Sequence, residues 1–182
     1  VQTAINAVQD GGTVLVPAGT CTWRNTVTVT GKSLTLEGAG VDQTIIINNV
    51  TAISGVNNSA LILEASKLVR VTGFTLDGTS TVDNYADIYI SGTPGNPLFR
   101  VDHNKFTNVT ERGVSIDSVY GVIDHNIFIR KPDGSSPTLV SITGDGDASW
   151  IRPQDMGTEH AVYVEDNTFI HNINANGPFD AY

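Results

Sequence analysis

The chain has 182 residues, a length that suits a single domain, and 40% of them are hydrophobic. Its 10 Lys and Arg residues against 19 Asp and Glu residues give a formal net charge of -9 at pH 7. A protein that neutralises phosphates needs a basic face, so this charge argues against nucleic acid as a partner. The sequence also has no apolar run long enough for a membrane span.

The chain begins with a short amphipathic helical pattern. Val1, Ile5 and Val8 fall on one helical face, and Gly11 and Gly12 end the pattern. We expect a helix within residues 1–10. Because the open end of a stack of strands exposes unpaired backbone and core, this helix is expected to cap the fold.

After this helix the sequence is a series of short alternating runs rich in Val, Ile and Thr, separated by clusters of Gly, Asn, Asp and Pro. Examples are residues 13–16, 27–29, 33–36, 61–63 and 114–116. Alternation between turn-forming clusters is typical of strands, and almost no helical period is present. The sequence therefore predicts an all-β fold.

Three six-residue segments are near-copies of one another, each reading apolar, acidic, polar, Asn, any residue, Phe. They occupy 101–106, 123–128 and 164–169, and 36–38 and 76–78 share their apolar-acidic start. The first two lie 22 residues apart and the third lies 41 further on, close to twice that spacing. A period of roughly 22 to 25 residues predicts a solenoid of about seven or eight stacked coils, whereas a propeller blade needs roughly 40 or more.

The chain resembles the right-handed parallel β-helix proteins of the pectate lyase-like superfamily. The resemblance lies in residues 10–19 after the helix, in the coils at 36–40 and 74–78, and in the Asp-His-Asn-x-Phe turns. It implies an all-β right-handed parallel β-helix over 1–182, with a loop excursion at 131–159. Because this superfamily includes lyases, hydrolases, esterases, adhesins and other proteins, the resemblance indicates fold more firmly than activity.

Strand alternation places five acids on one outer face: Glu37, Asp77, Asp102, Asp124 and Glu165. Stacked carboxylates repel one another, so cations, bound calcium, raised pKa values or turn hydrogen bonds must relieve them. One interpretation is that these acids cap turns. The other is that a subset, with Asp102 and Asp124 foremost, acts as acid and base or as metal ligands, as in glycoside hydrolysis.

Three further files of residues follow these acids in the repeats. His103 and His125 could shuttle protons or bind a metal, but they are interpreted as turn-packing residues, with one His as a catalytic base the alternative. The Asn file is expected to occupy tight left-handed corners and to hydrogen-bond from coil to coil, and the Phe file is expected to stack inside the coil. The members of these two files are Asn104, Asn126, Asn167, Phe106, Phe128 and Phe169.

The candidate catalytic residues are Asp102, Asp124, His125, Arg130 and Glu165. Bulky and basic side chains expected to be exposed form the candidate substrate-binding set, because aromatic rings stack on sugars and Arg holds carboxylates or hydroxyls. This set comprises Tyr89, Arg100, Trp150, Arg152 and Tyr163, and Arg130 is also expected to be exposed.

Calcium is the one cofactor that the sequence suggests. Asp145 and Asp147 lie in the excursion and could begin a calcium loop, although their spacing is short and no later bidentate Glu follows them. A polyanionic glycan would be repelled by the acidic chain unless calcium bridged the charges, so the net charge favours a neutral glycan or a metal-assisted acidic one.

Both ends of the sequence are expected to be truncated, within the capping helix at one end and within a coil at the other. The resemblance implies that Cys21, in the segment Gly-Thr-Cys-Thr-Trp, forms a disulfide with a cysteine upstream of Val1. A buried thiol is the alternative.

The resemblance implies a secreted or cell-surface carbohydrate-active protein, a polysaccharide lyase or glycoside hydrolase acting on an extracellular polysaccharide. The sequence departs from the catalytic patterns of that superfamily, because Arg152 and Pro153 lack the second Arg of the calcium-dependent lyases and no Asn-Thr-Asp or Gly-His-Gly segment is present. The alternative is a non-catalytic structural, adhesive or glycan-binding protein that self-associates through its coil ends.

Overall fold

A computed structural model describes residues 1–51, 58–78, 85–92, 97–109, 111–131, 138–143 and 157–170. One helix, α1 (Gln2–Ala7), precedes the strands. The strands in chain order are β1 (Gly12–Val16), β2 (Gly19–Trp23), β3 (Val27–Thr30), β4 (Leu34–Gly38), β5 (Thr44–Asn48), β6 (Ser59–Ala65), β7 (Val69–Thr72), β8 (Thr75–Asp77), β9 (Ala86–Gly92), β10 (Pro97–Asp102), β11 (Lys105–Val109), β12 (Arg112–Asp117), β13 (Tyr120–Asp124), β14 (Ile127–Arg130), β15 (Thr138–Thr143), β16 (Val162–Glu165) and β17 (Thr168–Ile170).

These strands form three parallel sheets, and every third strand belongs to the same sheet. The first sheet has the order β1-β4-β7-β10-β13-β16, the second β17-β14-β11-β8-β5-β2, and the third β15-β12-β9-β6-β3. Each turn of the chain therefore adds one strand to each sheet. This is a parallel β-helix solenoid, and the all-β fold expected from the repeats is confirmed.

The coils differ in length more than the repeat suggested. Ile123 pairs directly with both Val101 and Val164, so the 41-residue spacing spans one coil and the prediction of two coils there is wrong. The extra residues fall in the range 131–159, which was expected to be a loop excursion. Part of that range is strand β15, which pairs with β12 in the third sheet.

The segment at Leu76 was assigned to the wrong sheet. Leu36 pairs with Val71 in the first sheet, whereas Leu76 lies in the second sheet between Ile46 and Phe106. An apolar-acidic pair can end a strand at more than one corner of a coil, so the pattern alone does not identify the sheet. Asp77 is therefore not part of the first-sheet acidic file.

The core is built from files of inward side chains that repeat from coil to coil. In the second sheet, Phe106 and Phe128 are fully buried, with ring centroids 4.6 Å apart and planes 6° apart, and Phe169 stacks next at 5.1 Å. The expected aromatic ladder is thus confirmed. Full burial of Phe106 and of Phe128 stabilises the coil by about 1.5–3 kcal/mol each, whereas Phe169 is still partly exposed.

An asparagine ladder joins successive coils at the corner after the first sheet. The Asn104 backbone N–H donates to Asn126 Oδ1 at 2.9 Å, and the Asn126 backbone N–H donates to Asn167 Oδ1 at the same distance. The expected structural role and the hydrogen bonds between Asn amides of successive coils are confirmed, but the expectation that the Asn residues have a left-handed backbone is wrong. The left-handed residues are the preceding ones, His103, His125 and Asp166, with φ of 53°, 55° and 53°.

Helix α1 covers the edge of the third sheet. The Gln2 side-chain amide donates to the Thr28 carbonyl at 2.9 Å and accepts from the Thr28 N–H at 2.8 Å, as a neighbouring strand would. Lys32 Nζ donates to carbonyls at the C-terminal end of the helix, including that of Ile5, which is buried. The capping role is confirmed, although Val1 is exposed rather than packed.

Cys21 is exposed, so the alternative of a buried thiol is wrong. It pairs with Ile46 and is the first member of the inward file that continues to Leu76. Because β2 is an edge strand of the second sheet, the cysteine lies at the end of the core. A disulfide to an upstream residue stays a prediction.

Asp87 is a carboxyl group inside the core. Its Oδ1 accepts from Asn48 Nδ2 at 2.8 Å, whereas its Oδ2 has no hydrogen-bond partner among the described residues. Burial raises the pKa of Asp87 to about 7, and the Asn48 hydrogen bond offsets only part of that rise. Asp87 is thus neutral in mildly acidic solution.

We predict that Asp87 makes the fold more stable in mild acid than in mild base. Its pKa is about 7 when folded against 3.8 for the model carboxyl, so its contribution is fully present below the lower value and is lost as pH rises through the higher one. The wild-type protein is expected to lose on the order of 2–3 kcal/mol of unfolding free energy to Asp87 between about pH 5 and pH 8. Asp87→Asn is expected to abolish this loss. Urea unfolding at both pH values measures this.

Asp10→Asn is the matched control, because Asp10 is an exposed carboxylate that titrates below this pH range. It should leave the pH dependence between about pH 5 and pH 8 unchanged. Equal pH dependence in the wild-type protein and Asp87→Asn would contradict the assignment.

Candidate functional site

The outer face of the first sheet collects five of the predicted site residues. Strands β7, β10, β13 and β16 lie side by side there, and alternation along each strand exposes two neighbouring files. One file is Arg70, Arg100, Val122 and Tyr163, and the other is Thr72, Asp102, Asp124 and Glu165.

Arginine and aspartate side chains form a ladder across this face. Arg70 Nε and Nη2 donate to Asp102 Oδ1 and Oδ2 at 2.7 and 2.5 Å. Arg100 repeats the arrangement one coil later, donating to Asp124 at 3.0 and 2.8 Å. Each arginine thus reaches diagonally to the next coil in a bidentate pair, the strongest geometry available to these groups. The ladder relieves the repulsion between the stacked carboxylates.

The two aspartates are buried, which corrects the prediction that they are exposed. The side chain of Asp102 is 0% exposed and that of Asp124 4%, because the arginines cover them. Burial raises their pKa values, but hydrogen bonds from Arg70 and His103 to Asp102, and from Arg100 and His125 to Asp124, outweigh it and hold both pKa values below the usual range. The ionised aspartates stabilise the fold at pH values above the usual carboxyl pKa, and this contribution is lost as the pH falls through their lowered pKa values.

This environment does not suit Asp102 and Asp124 as an acid and base pair. A general acid must hold a proton near the working pH, and a lowered pKa removes it. Their oxygens are already occupied by arginine and histidine donors. The geometry therefore favours the structural interpretation for these two residues.

Each aspartate also orients the histidine that follows it. His103 Nδ1 lies 2.8 Å from Asp102 Oδ2, and His125 Nδ1 lies 2.8 Å from Asp124 Oδ2. The two imidazole rings stack with centroids 5.0 Å apart and planes 6° apart. Because both side chains are about half exposed, their outer edges face solvent.

Like Glu37 beside Thr72, Glu165 lacks an arginine clamp. It pairs with Asp124, but Val122 stands where a third arginine would stand. Glu165 is exposed, and among the described residues no hydrogen bond or ion pair holds its carboxylate. The ladder thus ends with an accessible carboxylate.

A groove with a volume of about 450 Å³ runs beside the arginine file. Tyr163 supports one of its walls, because its hydroxyl donates to the Thr158 carbonyl at 2.6 Å and accepts from the Gly157 N–H at 2.8 Å. The groove is lined by Leu68, Arg70, Phe99, Arg100, Gly121, Val122, Glu159, Ala161 and Tyr163.

Sequence reasoning missed the other two charged residues of this groove, Arg70 and Glu159. Arg70 had a signal, because Val69-Arg70-Val71 matches the apolar-Arg-Val pattern around Arg100. Glu159 had none, since it belongs to no repeat and reaches the groove through the segment that Tyr163 holds.

Other predicted site residues lie elsewhere. Tyr89 is in the third sheet, where its hydroxyl donates to Asp117 at 3.3 Å and its ring packs edge-on against Tyr85. Arg130 belongs to the second sheet and is 4% exposed, so the expectation that it is exposed is wrong. Trp150, Arg152, Asp145 and Asp147 lie outside the described residues.

The first-sheet acids do not fit a calcium ion. Calcium takes several oxygen ligands, and those of Asp102 and Asp124 are held by arginine and histidine. In the part of the chain that the structure describes, no group of three or more His, Cys, Asp or Glu side chains is arranged to hold a metal ion. Within the same residues, no helix has the length and apolar character needed to cross a membrane.

No family model, curated protein or solved structure matches the chain. Function is therefore inferred from the fold and from the contacts of the side chains described above.

We predict that Arg100→Met destabilises the fold, because it removes the arginine that pairs with the buried Asp124 carboxylate. The expected loss is about 2–3 kcal/mol, below that for a fully buried pair, because Arg100 is half exposed and His125 still holds the carboxylate. Urea unfolding at neutral pH measures the difference.

Lys67→Met is the control, since it removes an ion pair to Asp10 in which both side chains are half exposed. Its cost should be below about 1 kcal/mol. If the two substitutions cost the same, the ladder has no special role in stability.

Proposed function

We propose that the protein is a secreted or cell-surface carbohydrate-active β-helix protein of the pectate lyase-like kind, which binds an extracellular polysaccharide in the first-sheet groove. The observation that carries this proposal is the combination of Tyr163, Arg70 and Arg100 along one groove of about 450 Å³. Neighbouring coils present these side chains in one file, so the groove offers repeated contacts to a repeating ligand.

The chemistry of the groove suits sugar rings. The ring of Tyr163 offers an apolar surface on which the C–H face of a sugar stacks, while its hydroxyl is occupied in holding the 157–158 segment. Arg70 and Arg100 each use Nε and Nη2 on an aspartate, which leaves the Nη1 hydrogens to donate to sugar hydroxyls.

The charge of this face favours a neutral glycan. The two arginines are each neutralised by an aspartate, and Glu159 and Glu165 add carboxylates nearby. A uronate polymer would therefore meet net negative charge and would need a bridging cation. We therefore favour hydrolysis of a neutral polysaccharide over elimination from an acidic one.

Glu165 is the residue that we assign to chemistry. Glycoside hydrolysis uses two carboxyl groups on either side of the scissile bond, and Glu165 and Glu159 are the carboxylates near the groove that no arginine clamps in the described part of the chain. Asp102 and Asp124 act as positioning residues, because they fix the arginines that bind the sugar. His125, oriented by Asp124, is the alternative base.

A non-catalytic glycan-binding protein is the second candidate. The observation that favours it is the commitment of Asp102 and Asp124 to ion pairs, which makes the regular face a scaffold rather than a reaction centre. Self-association through the coil ends belongs to this alternative.

We predict that Tyr163→Ala weakens glycan binding by up to about tenfold, because it removes the ring on which the sugar stacks; aromatic pairs in proteins gain about 0.5–1.5 kcal/mol beyond their buried area. The full chain is titrated by calorimetry with neutral and acidic polysaccharides. Tyr163→Phe keeps the ring and removes the hydroxyl contacts, so it separates stacking from support of the 157–158 segment. Tyr89→Ala, on the third sheet, is the remote control.

Glu165→Gln is expected to keep binding and to abolish the release of reducing ends. New reducing ends without ultraviolet absorbance indicate a hydrolase, and with absorbance a lyase. Binding without products supports the non-catalytic candidate. The absence of binding across neutral and acidic glycans, with and without calcium, would overturn the proposal.

A further inference from the structure

We propose that His103 and His125 form a chelating site for one divalent transition-metal ion such as Zn²⁺ or Cu²⁺. The site lies at the corner that follows the first sheet, and the inference does not rest on the proposed glycan function, in which His125 is only the alternative base. Four features of the structure carry this inference: the orientation of the rings, their spacing, the support of the aspartates and the local charge.

The hydrogen bonds fix which nitrogen of each ring faces solvent. An ionised carboxylate only accepts hydrogen bonds, so in each Asp–His pair Nδ1 carries the hydrogen and donates it. In the neutral imidazole the other nitrogen, Nε2, then carries a lone pair. This carboxylate–histidine arrangement is the one that metal-binding histidines usually show.

The spacing of the two rings suits a chelate after a small movement. The rings are nearly parallel with centroids 5.0 Å apart, and both are anchored in the same way, so the two Nε2 atoms lie a similar distance apart. Two Zn–N bonds of about 2.0–2.1 Å at the tetrahedral angle place their nitrogens about 3.3–3.4 Å apart, so the Nε2 atoms must approach by about 1.6 Å and the ring planes must turn towards each other. Half-exposed rings can do so, because the ring torsion of histidine is broad.

The support behind the rings is already built. Asp102 and Asp124 are each held by two hydrogen bonds from one arginine, so neither carboxylate needs to move when a metal binds. The backbone at both histidines has the same left-handed conformation, which directs both side chains the same way from adjacent coils. The aspartates and the backbone behind the rings are therefore preorganised, and only the rings themselves move.

The local charge attracts a cation. Asp166 follows in the third coil with the same left-handed backbone, next to the exposed Glu165. These two acids add negative charge beside a ladder whose arginines and aspartates balance one another. Because no group of three ligands is assembled among the described residues, two nitrogens hold the ion and water completes its coordination.

The test is a titration of the metal-free full chain with Zn²⁺ by calorimetry, together with Cu²⁺ electron paramagnetic resonance. We expect one Zn²⁺ per chain at this site and two equivalent nitrogen ligands in the Cu²⁺ spectrum. His103→Asn and His125→Asn should each weaken binding by roughly tenfold or more, since either change leaves a single anchor. Asn suits both positions because it tolerates a left-handed backbone.

His160→Asn is the matched control, because His160 packs near Tyr120 and away from the pair. It should bind Zn²⁺ as the wild-type protein does, and thermal melts of all variants should show that each one folds. Two independent ions per chain, one nitrogen ligand in the Cu²⁺ spectrum, or unchanged binding in either His103→Asn or His125→Asn would overturn the proposal.

Discussion

The parallel, in-register stacking of one coil on the last is the constraint on which the rest of this structure depends. Backbone hydrogen bonds between coils place equivalent residues at the short distance between neighbouring parallel strands. The side chain at one position of a coil therefore lies next to the side chain at the equivalent position of the next coil. Phenylalanine and asparagine benefit from this, since rings stack at 4.6 Å and amides bond from coil to coil.

Aspartate is the residue type for which such stacking is costly, and the arginine ladder is the remedy. Asp102 and Asp124 lie in register on adjacent strands, where two buried like charges repel strongly. Arg70 and Arg100, two places earlier on their strands, each reach to the aspartate of the next coil. An arginine at this position in two neighbouring strands thus converts a repulsive file of carboxylates into alternating charges. The aspartates held by these arginines also orient the two histidines.

The sequence predicted those features that repeat in nearly identical form. The segments 101–106 and 123–128 share four of their six residue positions, including Asp, His, Asn and Phe, so their files could be aligned without a structure. The coil of Arg70 could not, because Thr72 and Gly73 stand where Asp102 and His103 stand later. For the same reason Leu76 was aligned in the wrong sheet.

Burial of the aspartates was not predictable from alternation alone. Alternation gives the direction of a side chain, whereas its exposure depends on which neighbouring coil supplies a long side chain to cover it. Arg70 covers Asp102 although the two are separated by 32 residues. The same limit applies to Glu159, which reaches the groove only because the Tyr163 hydroxyl holds the segment before it.

Side chains that depart from the repeated pattern are found where the regular coils end. At the β13 to β16 step, Val122 replaces the clamping arginine, Tyr163 adds an aromatic face and Glu165 remains exposed. The regular coils before this step hold Asp102 and Asp124 in arginine pairs that lower the pKa of each carboxyl. The first-sheet face therefore divides into a regular ladder that positions side chains and an irregular end, where we propose that the ligand binds.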